Sequence, residues 1–358
     1  MSFETPEKLI FQTEWHDRVA STLKQFYLHF FPSDSSVELI DFNTKKTFLR
    51  RSKCDGVVIK NLHIGATFTI FSRSLKIVGF ADNNTKHIMS VMLLKTIILL
   101  STDVTKYLGE ILQIISDHNF SIHNIKMVKV SHGEAMKIFQ LADDQMNSKW
   151  VTCGPIVALE LMSKGDESKQ NVLLSALEKY NFNNIHVLQN DISHYVLSSK
   201  RMIVYSLKNS AVCKNCTCCI IKPHAVQAGL IAPIINDIQK ANFNISAVQN
   251  FYVDFNDAQE FLEVYKSILP DYAAMVSELQ SGPCIAMEIT HNDKNVDVVQ
   301  EFRKLCGPMD PEMARQLRSK TLRAKYGKSK VQNAVHCSDL SQDGLLEVAY
   351  FFKILDGK

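Results

Sequence analysis

Residues 333–339 read Asn333-Ala334-Val335-His336-Cys337-Ser338-Asp339, and a carboxylate, Glu347, follows ahead of the aromatic run Tyr350-Phe351-Phe352. A neutral imidazole can attack phosphorus when a neighbour fixes its tautomer and cations meet the charge on the transferring group. A lone histidine is more often structural, so His336 carries weight only with its companions. Upstream lie Ile221-Lys222-Pro223, Ser281-Gly282-Pro283 and Thr321-Leu322-Arg323, with Tyr265, Tyr272 and Arg303 among them. A second reactive cluster is Cys213, Cys216, Cys218 and Cys219, whose first pair has zinc-knuckle spacing. No second ligand pair sits at a matching distance, and residues 217–221 form an apolar run leading into Lys222-Pro223. The cysteines therefore read as structural thiols in a buried strand, and no metal site is expected.

The elements that must hold these residues repeat. Gly109-Glu-Ile-Leu-Gln-Ile-Ile-Ser-Asp-His-Asn-Phe120 has the shape of Ala232-Pro-Ile-Ile-Asn-Asp-Ile-Gln-Lys-Ala-Asn-Phe243, each an amphipathic helix ending at Asn-Phe and running into a strand. Gly154-Pro-Ile-Val-Ala-Leu-Glu160 likewise matches Gly282-Pro-Cys-Ile-Ala-Met-Glu288. The offset is 123 residues at the first match and 128 at the second, which implies duplication of a whole domain. Each copy reads strand, helix, strand, helix, strand, an α+β pattern about a central sheet. Ahead of them, residues 10–81 carry short alternating segments, among them 26–30, 37–42, 67–71 and 75–80, broken by Pro32-Ser33-Asp34-Ser35-Ser36. That is a small β-rich domain without a catalytic constellation. Asp82-Asn83-Asn84-Thr85 reads as the linker out of it, giving domains at 1–86, 87–208 and 209–358.

With its motifs in this order, the segment 217–355 resembles a nucleoside diphosphate kinase domain. The family pattern Asn-x-x-His-Gly-Ser-Asp is kept except that Cys337 replaces glycine. The resemblance implies a ferredoxin-like fold and γ-phosphate transfer between ATP and a nucleoside diphosphate by a ping-pong mechanism, with Mg²⁺ carried by the nucleotide. It makes His336 the nucleophile, oriented by Glu347 and Ser338. Lys222, Arg303 and Arg323 would clamp phosphates with Tyr265 nearby, Asn333 would contact the ribose, and Tyr272 would stack on the base. Three departures stand against this pattern. Lys-Pro-Asp reads Lys222-Pro223-His224, the phosphate-contacting threonine aligns with Met309, and residues 311–323 carry about three extra positions. In the first copy Ser101-Thr102-Asp103 takes the place of Lys-Pro-Asp, and Gln189 falls near the histidine position, with His186 and His194 out of register. That copy is expected to be catalytically dead.

Glu14-Trp15-His16-Asp17, residues 27–32, Thr47-Phe48-Leu49-Arg50-Arg51 and Phe71-Ser72-Arg73 resemble a DM-ten domain, which implies a PH-like β fold and an association with cilia. A DM-ten domain before two kinase folds is the layout of the seventh type within the nucleoside diphosphate kinase family. That type implies a structural component of axonemal doublet microtubules, a microtubule inner protein of the cilium or flagellum in contact with tubulin and other inner proteins. It also suggests γ-tubulin complexes, and hence cytoplasm, cytoskeleton and centrosome. The alternative is an active nucleoside diphosphate kinase using phospho-His336. The 358 residues suit two or three domains, with 46% hydrophobic and 22% charged residues. A net charge of only +3 gives no reason to expect nucleic acid. No membrane-spanning run or secretory leader is read, and the nine cysteines of a chain expected inside the cell should be reduced.

Overall fold

Apolar side chains on every second residue build an N-terminal sheet. Along β1 (Leu9–Asp17) the buried positions are Leu9, Phe11 and Thr13, and along β2 (Thr22–Phe31) they are Phe26, Leu28 and Phe30. With β3 (Ser36–Asp41), β4 (Thr47–Lys53), β5 (Thr67–Ile70) and β6 (Arg73–Phe80), these form an antiparallel sheet in the order β4-β3-β2-β1-β6-β5 among the described residues. The computed structural model describes residues 6–17, 22–54, 57, 59, 62, 64–71, 73–92, 94–131, 134, 154–163, 168–179, 185–188, 204–293 and 295–357. Residues 82–85, expected as a linker, instead open helix α1 (Asn83–Met92). The reason is local: the Asp82 carboxylate accepts from the Thr85 amide (2.6 Å) and hydroxyl (3.0 Å), an N-terminal cap. Residues up to Leu94, with 280–282, make one compact unit, and the remainder from Lys95 makes the other.

The second unit holds both copies in one sheet. Its first half has β7 (Leu94–Leu100), α2 (Leu108–Asp117), β8 (Ser121–Lys129), β9 (Pro155–Ser163), α3 (Ser168–Lys179) and β10 (Ile185–Leu188). Its second half begins with β11 (Thr217–Ile221), α4 (Pro223–Gln227), α5 (Ile231–Lys240), β12 (Phe243–Tyr252), α6 (Phe255–Phe261) and α7 (Tyr272–Leu279). It ends with β13 (Pro283–His291), α8 (Val298–Cys306), α9 (Pro311–Leu317), α10 (Leu322–Tyr326), β14 (Val335–Cys337) and α11 (Asp343–Ala349). The order β10-β7-β9-β8-β12-β13-β11-β14 is a palindrome of two ferredoxin-like halves. Registers repeat as well. Asn124 pairs with Glu160 as Ala247 pairs with Glu288, and Lys126 meets its own counterpart Gln249 across the centre.

Helices α2 and α5 cross on one face. They end alike, at Asn119 and Asn242, each in the left-handed region (φ 61° and 64°) that asparagine tolerates after a helix C-terminus. The crossing is close because Gly109 has no side chain: a Cβ there would lie 2.4 Å from the Cα of Asn236. Gln239 closes it, accepting from the Gly109 amide (2.8 Å) and donating to the Thr105 carbonyl (3.0 Å). A continuous apolar core, including Ile111, Ile115, Ile125, Ile234, Ile238 and Val248, runs beneath both helices. At the strand junction Asp356 accepts from Lys126 Nζ (3.0 Å), Gln249 Nε2 (2.5 Å) and Asn209 Nδ2 (2.7 Å). Asp356 thus gathers one donor from each central strand, β8 and β12, and a third from Asn209.

Candidate functional site

Strand β14 lies beside β11, with His336 opposite Ile220 and Cys337 opposite Cys219. A tight turn delivers it: Ala334 has φ 71°, and the Val335 amide donates back to the Asn333 carbonyl at 2.9 Å. Positive φ is strained for alanine, so the surroundings must hold it. The Lys222 amide does so from one side, donating to the Ala334 carbonyl at 2.9 Å. Ser338 is tied to the same strand, its hydroxyl accepting from the Cys218 amide at 3.1 Å. Because successive strand residues face opposite ways, Cys218 packs in one apolar cluster and Cys219 in the other. Of the four cysteines, Cys213 and Cys216 lie with Cys218 in the same cluster, and Cys219 faces the other.

His336 Nε2 lies 2.8 Å from Glu347 Oε2, which also accepts from the Ser338 hydroxyl at 2.8 Å. A carboxylate accepts only, so Nε2 carries the hydrogen and the lone pair is left on Nδ1. Burial disfavours the ring's charge, but the charge and hydrogen bond of Glu347 outweigh it and raise the pKa above 6.5. Phe261 meets the ring edge-on with centroids 5.1 Å apart.

The cations converge on one cleft of about 950 Å³ that His336 lines. Lys222 precedes α4 and donates to the Val331 carbonyl at 2.8 Å. Burial, reinforced by the Arg323 charge, brings its pKa down to about 7. Arg323 donates to the carbonyls of Val335 (3.2 Å) and Gly307 (2.9 Å) and approaches Cys337 Sγ at 3.6 Å. Gly307 has φ 81°, and a Cβ there would meet Thr321 Oγ1 at 2.3 Å, so this acceptor is a glycine by necessity. The Cys337 thiol is lowered in pKa, first by its hydrogen bond from Cys306 and then by Arg323 and His336, against the cost of burial. Arg303 pairs with Asp339 at 3.3 Å, and the Tyr265 hydroxyl donates to the same carboxylate. Burial and that hydrogen bond push the Tyr265 pKa well up. Asn333 donates to the Met309 carbonyl at 3.1 Å, while its buried Oδ1 has no partner among the described residues.

Lys222, Tyr265, Arg303, Arg323, Asn333, His336 and Glu347 therefore share the cleft, with Ser338 bonded behind Glu347. Tyr272 does not join them: its hydroxyl donates to the Gln259 carbonyl (3.3 Å), and its ring packs on the apolar cluster around Phe251 and Met275. The cleft mouth presents aliphatic groups instead, including Val264, Ile268 and Leu317, which are 65%, 73% and 70% exposed. Two further lining cations escaped the sequence reading, Lys304 and Arg318. Arg318 sits in the segment 311–323, which carries about three extra positions, and that segment's basic content (Arg315, Arg318, Lys320) was its signal.

Residues 215–356 match the sequence model of a family described as nucleoside diphosphate kinase. Over 375 aligned residues, covering 98% of this chain and 94% of the relative, it is 36% identical to the nucleoside diphosphate kinase homolog 7 of Rattus norvegicus. The chain belongs to the nucleoside diphosphate kinase family, with the homolog 7 proteins. The relative of the same name from Mus musculus matches to the same extent, 36% over 375 residues, 98% and 94% of the two chains. A solved structure, the orthorhombic C222 form of the Aquifex aeolicus nucleoside diphosphate kinase, aligns with 39% of this chain and 96% of its own at 29% identity and TM-score 0.37.

In the first copy of the kinase fold, strand register moves the nucleophile's place away from Gln189. Residues 98–101 align with 219–222, and His186 pairs with Leu99 as His336 pairs with Ile220. The nucleophile's place thus falls to His186 rather than Gln189, and Asn183-Asn184-Ile185-His186 repeats the Asn-x-x-His spacing. The shorter second half of that copy hid the register. Gln189 and His194 lie outside the described residues. What the first copy has lost is the lysine: Ser101 there is fully buried, bonded through its hydroxyl to Asp103, and Thr102 donates to the Pro155 carbonyl at 2.9 Å.

Proposed function

We propose that the second copy is a working nucleoside diphosphate kinase centre, passing a γ-phosphoryl group between nucleotides through Nδ1 of His336. The observation that carries this is the Glu347–His336 hydrogen bond within a cleft that also collects Lys222, Arg303, Arg323 and Asn333. Nδ1 attacks the γ-phosphorus in line, an N–P bond forms as the bridging P–O bond breaks, and the diphosphate leaves with that electron pair. A second nucleoside diphosphate then reverses the step. Mg²⁺ enters as part of the substrate, on its phosphates. Glu347 keeps the proton on Nε2 throughout, Arg323 is held ready by carbonyls, and the unpartnered Oδ1 of Asn333 suits a ribose hydroxyl. Arg303 must exchange Asp339 for phosphate when nucleotide enters. Purified protein given γ-labelled ATP should acquire acid-labile phosphate, and His336→Gln should acquire none; label that survives this substitution rejects the reading.

A second role is supported by the first copy, whose lysine position is closed by Ser101 and Thr102. That copy is read as catalytically silent and structural. The chain then also serves as an inner-wall component of ciliary or flagellar doublet microtubules, touching tubulin and associated with γ-tubulin complexes. The N-terminal β domain, DM-ten-like and PH-like in this proposal, supplies the address. In ciliated cells lacking the parent protein, His336→Gln should still enter axonemes and deletion of residues 1–85 should not. Failure of a folded His336→Gln protein to incorporate rejects the structural role.

A further inference from the structure

The family's aspartate after Lys-Pro is His224 here, and nothing in the phosphotransfer scheme accounts for it. The side chain is buried, 6% exposed, between α4 and α7. Its Nε2 faces the backbone amide of Ala334 at 3.2 Å, and its Nδ1 lies 2.6 Å from Glu278 Oε1. The His224 amide donates to that same oxygen at 3.0 Å, and Gln332 Nε2 donates to the other at 3.1 Å. An amide can only donate, so Nε2 must be the unprotonated nitrogen and Nδ1 carries the hydrogen given to Glu278. Burial alone would raise the Glu278 pKa, but the bonds from His224 and Gln332 hold it below the ordinary carboxylate value.

Ala334 is the strained residue of the turn two places before His336. Both of its backbone groups are held by the segment 222–224: the carbonyl by the Lys222 amide, the amide by the His224 ring. We propose that His224 and Glu278 form a positioning pair for this turn. The imidazole supplies the acceptor for the Ala334 amide, and Glu278, on α7, fixes the tautomer that makes it an acceptor. The turn presenting Nδ1 of His336 is thereby held by a residue 54 positions away. Neither residue lines the cleft. Their effect is on the orientation of the nucleophile, and so on the chemical step rather than on nucleotide affinity. This inference rests on the phosphotransfer reading for its consequence, though not for its geometry.

The test uses the full chain and two variants. His224→Phe keeps a ring but removes the acceptor, and His224→Gln restores a neutral acceptor near the Nε2 position. Nitrogen-15 spectra of the wild-type imidazole should show His224 as the Nδ1–H tautomer. The Ala334 amide should exchange on the order of tenfold faster in His224→Phe than in wild type, as loss of one buried hydrogen bond requires, and should recover in His224→Gln. With MgATP, His224→Phe should slow formation of phospho-His336 by a similar factor while nucleotide affinity changes less than about twofold, and His224→Gln should restore the rate. An Nε2–H tautomer in the wild type, or unchanged Ala334 exchange in a folded His224→Phe protein, overturns the proposal. If wild-type protein never phosphorylates, the kinase reading fails alone, and the tautomer and exchange data still decide this one.

Discussion

Lys222 makes the phosphate site pH-sensitive in a way that can be worked out. Burial and the neighbouring Arg323 hold its pKa near about 7 in the free protein, well below the 10.5 of an exposed lysine. A bound polyphosphate places negative charge on the ammonium and returns its pKa to the alkaline range, so binding takes up a proton whenever free Lys222 is neutral. The sign follows. Below pH 7 the lysine is already charged and affinity is full; above pH 7 affinity falls by about tenfold per pH unit, since each unit makes the charged form tenfold rarer. At pH 8 about nine in ten free molecules must gain a proton, so calorimetry in two buffers of different ionisation enthalpy should find an uptake of about 0.9 proton per nucleotide. The measurement belongs in His336→Gln protein, which cannot be phosphorylated and has no titrating ring at that position, and above the phosphate's own pKa of about 6. Lys222→Met should flatten the slope and, at pH 7, weaken binding by about 1.5–3 kcal/mol, the loss of a charge-assisted hydrogen bond. Affinity that is flat from pH 7 to 8.5, or a slope that persists in Lys222→Met, refutes the assignment.

Three other outcomes follow from the same geometry. Phosphoenzyme formation should rise with pH through the raised pKa of His336, because the imidazolium has no lone pair to offer, and Glu347→Gln should move that midpoint to lower pH; an unmoved midpoint contradicts the Glu347 contact. Asp356→Ala leaves the buried Lys126 ammonium uncompensated and should cost about 3–5 kcal/mol in denaturant unfolding, with Lys126→Met recovering much of it in the double variant. Gly109→Leu must force the α2–α5 crossing apart, which should cost at least about 1–3 kcal/mol in the same assay; a neutral result there means the crossing is looser than described.

Residues that act locally were legible in the sequence. Asn119 and Asn242 mark helix ends because asparagine tolerates the left-handed backbone that ends a helix, and Gly109 and Ala232 open helices whose apolar spacing shows their buried face. The His336 motif was readable because the turn, the nucleophile and Ser338 lie within six residues. What stayed hidden was pairing over distance. Glu278 answers His224 across 54 positions and Asp356 answers Lys126 across 230, and neither leaves a period or spacing behind. His186 was missed for a related reason, since only strand register against Leu99 reveals its place. The assignment of Tyr272 failed because an aromatic at about the right distance can face either side of a helix, and this one faces the core. Asp82 misled in the opposite direction, since a polar run that caps a helix has the composition of a linker.

The palindromic sheet has a consequence for how this chain can change. Identical subunits meeting by such a contact would form a symmetric pair, populated according to dilution, in which every substitution appears twice. Here the partners share one polypeptide, so each meets the other at an effective concentration of the millimolar order whatever the amount of protein present. A substitution lands on one side of the axis only. Ser101 can close one half while Lys222 is kept in the other, and Gly109 can give way to Asn236 without a second glycine at Ala232. Covalent linkage thus makes asymmetry heritable, with one lysine-bearing cleft for each pair of folds and a fixed stoichiometry that no change in expression level can alter.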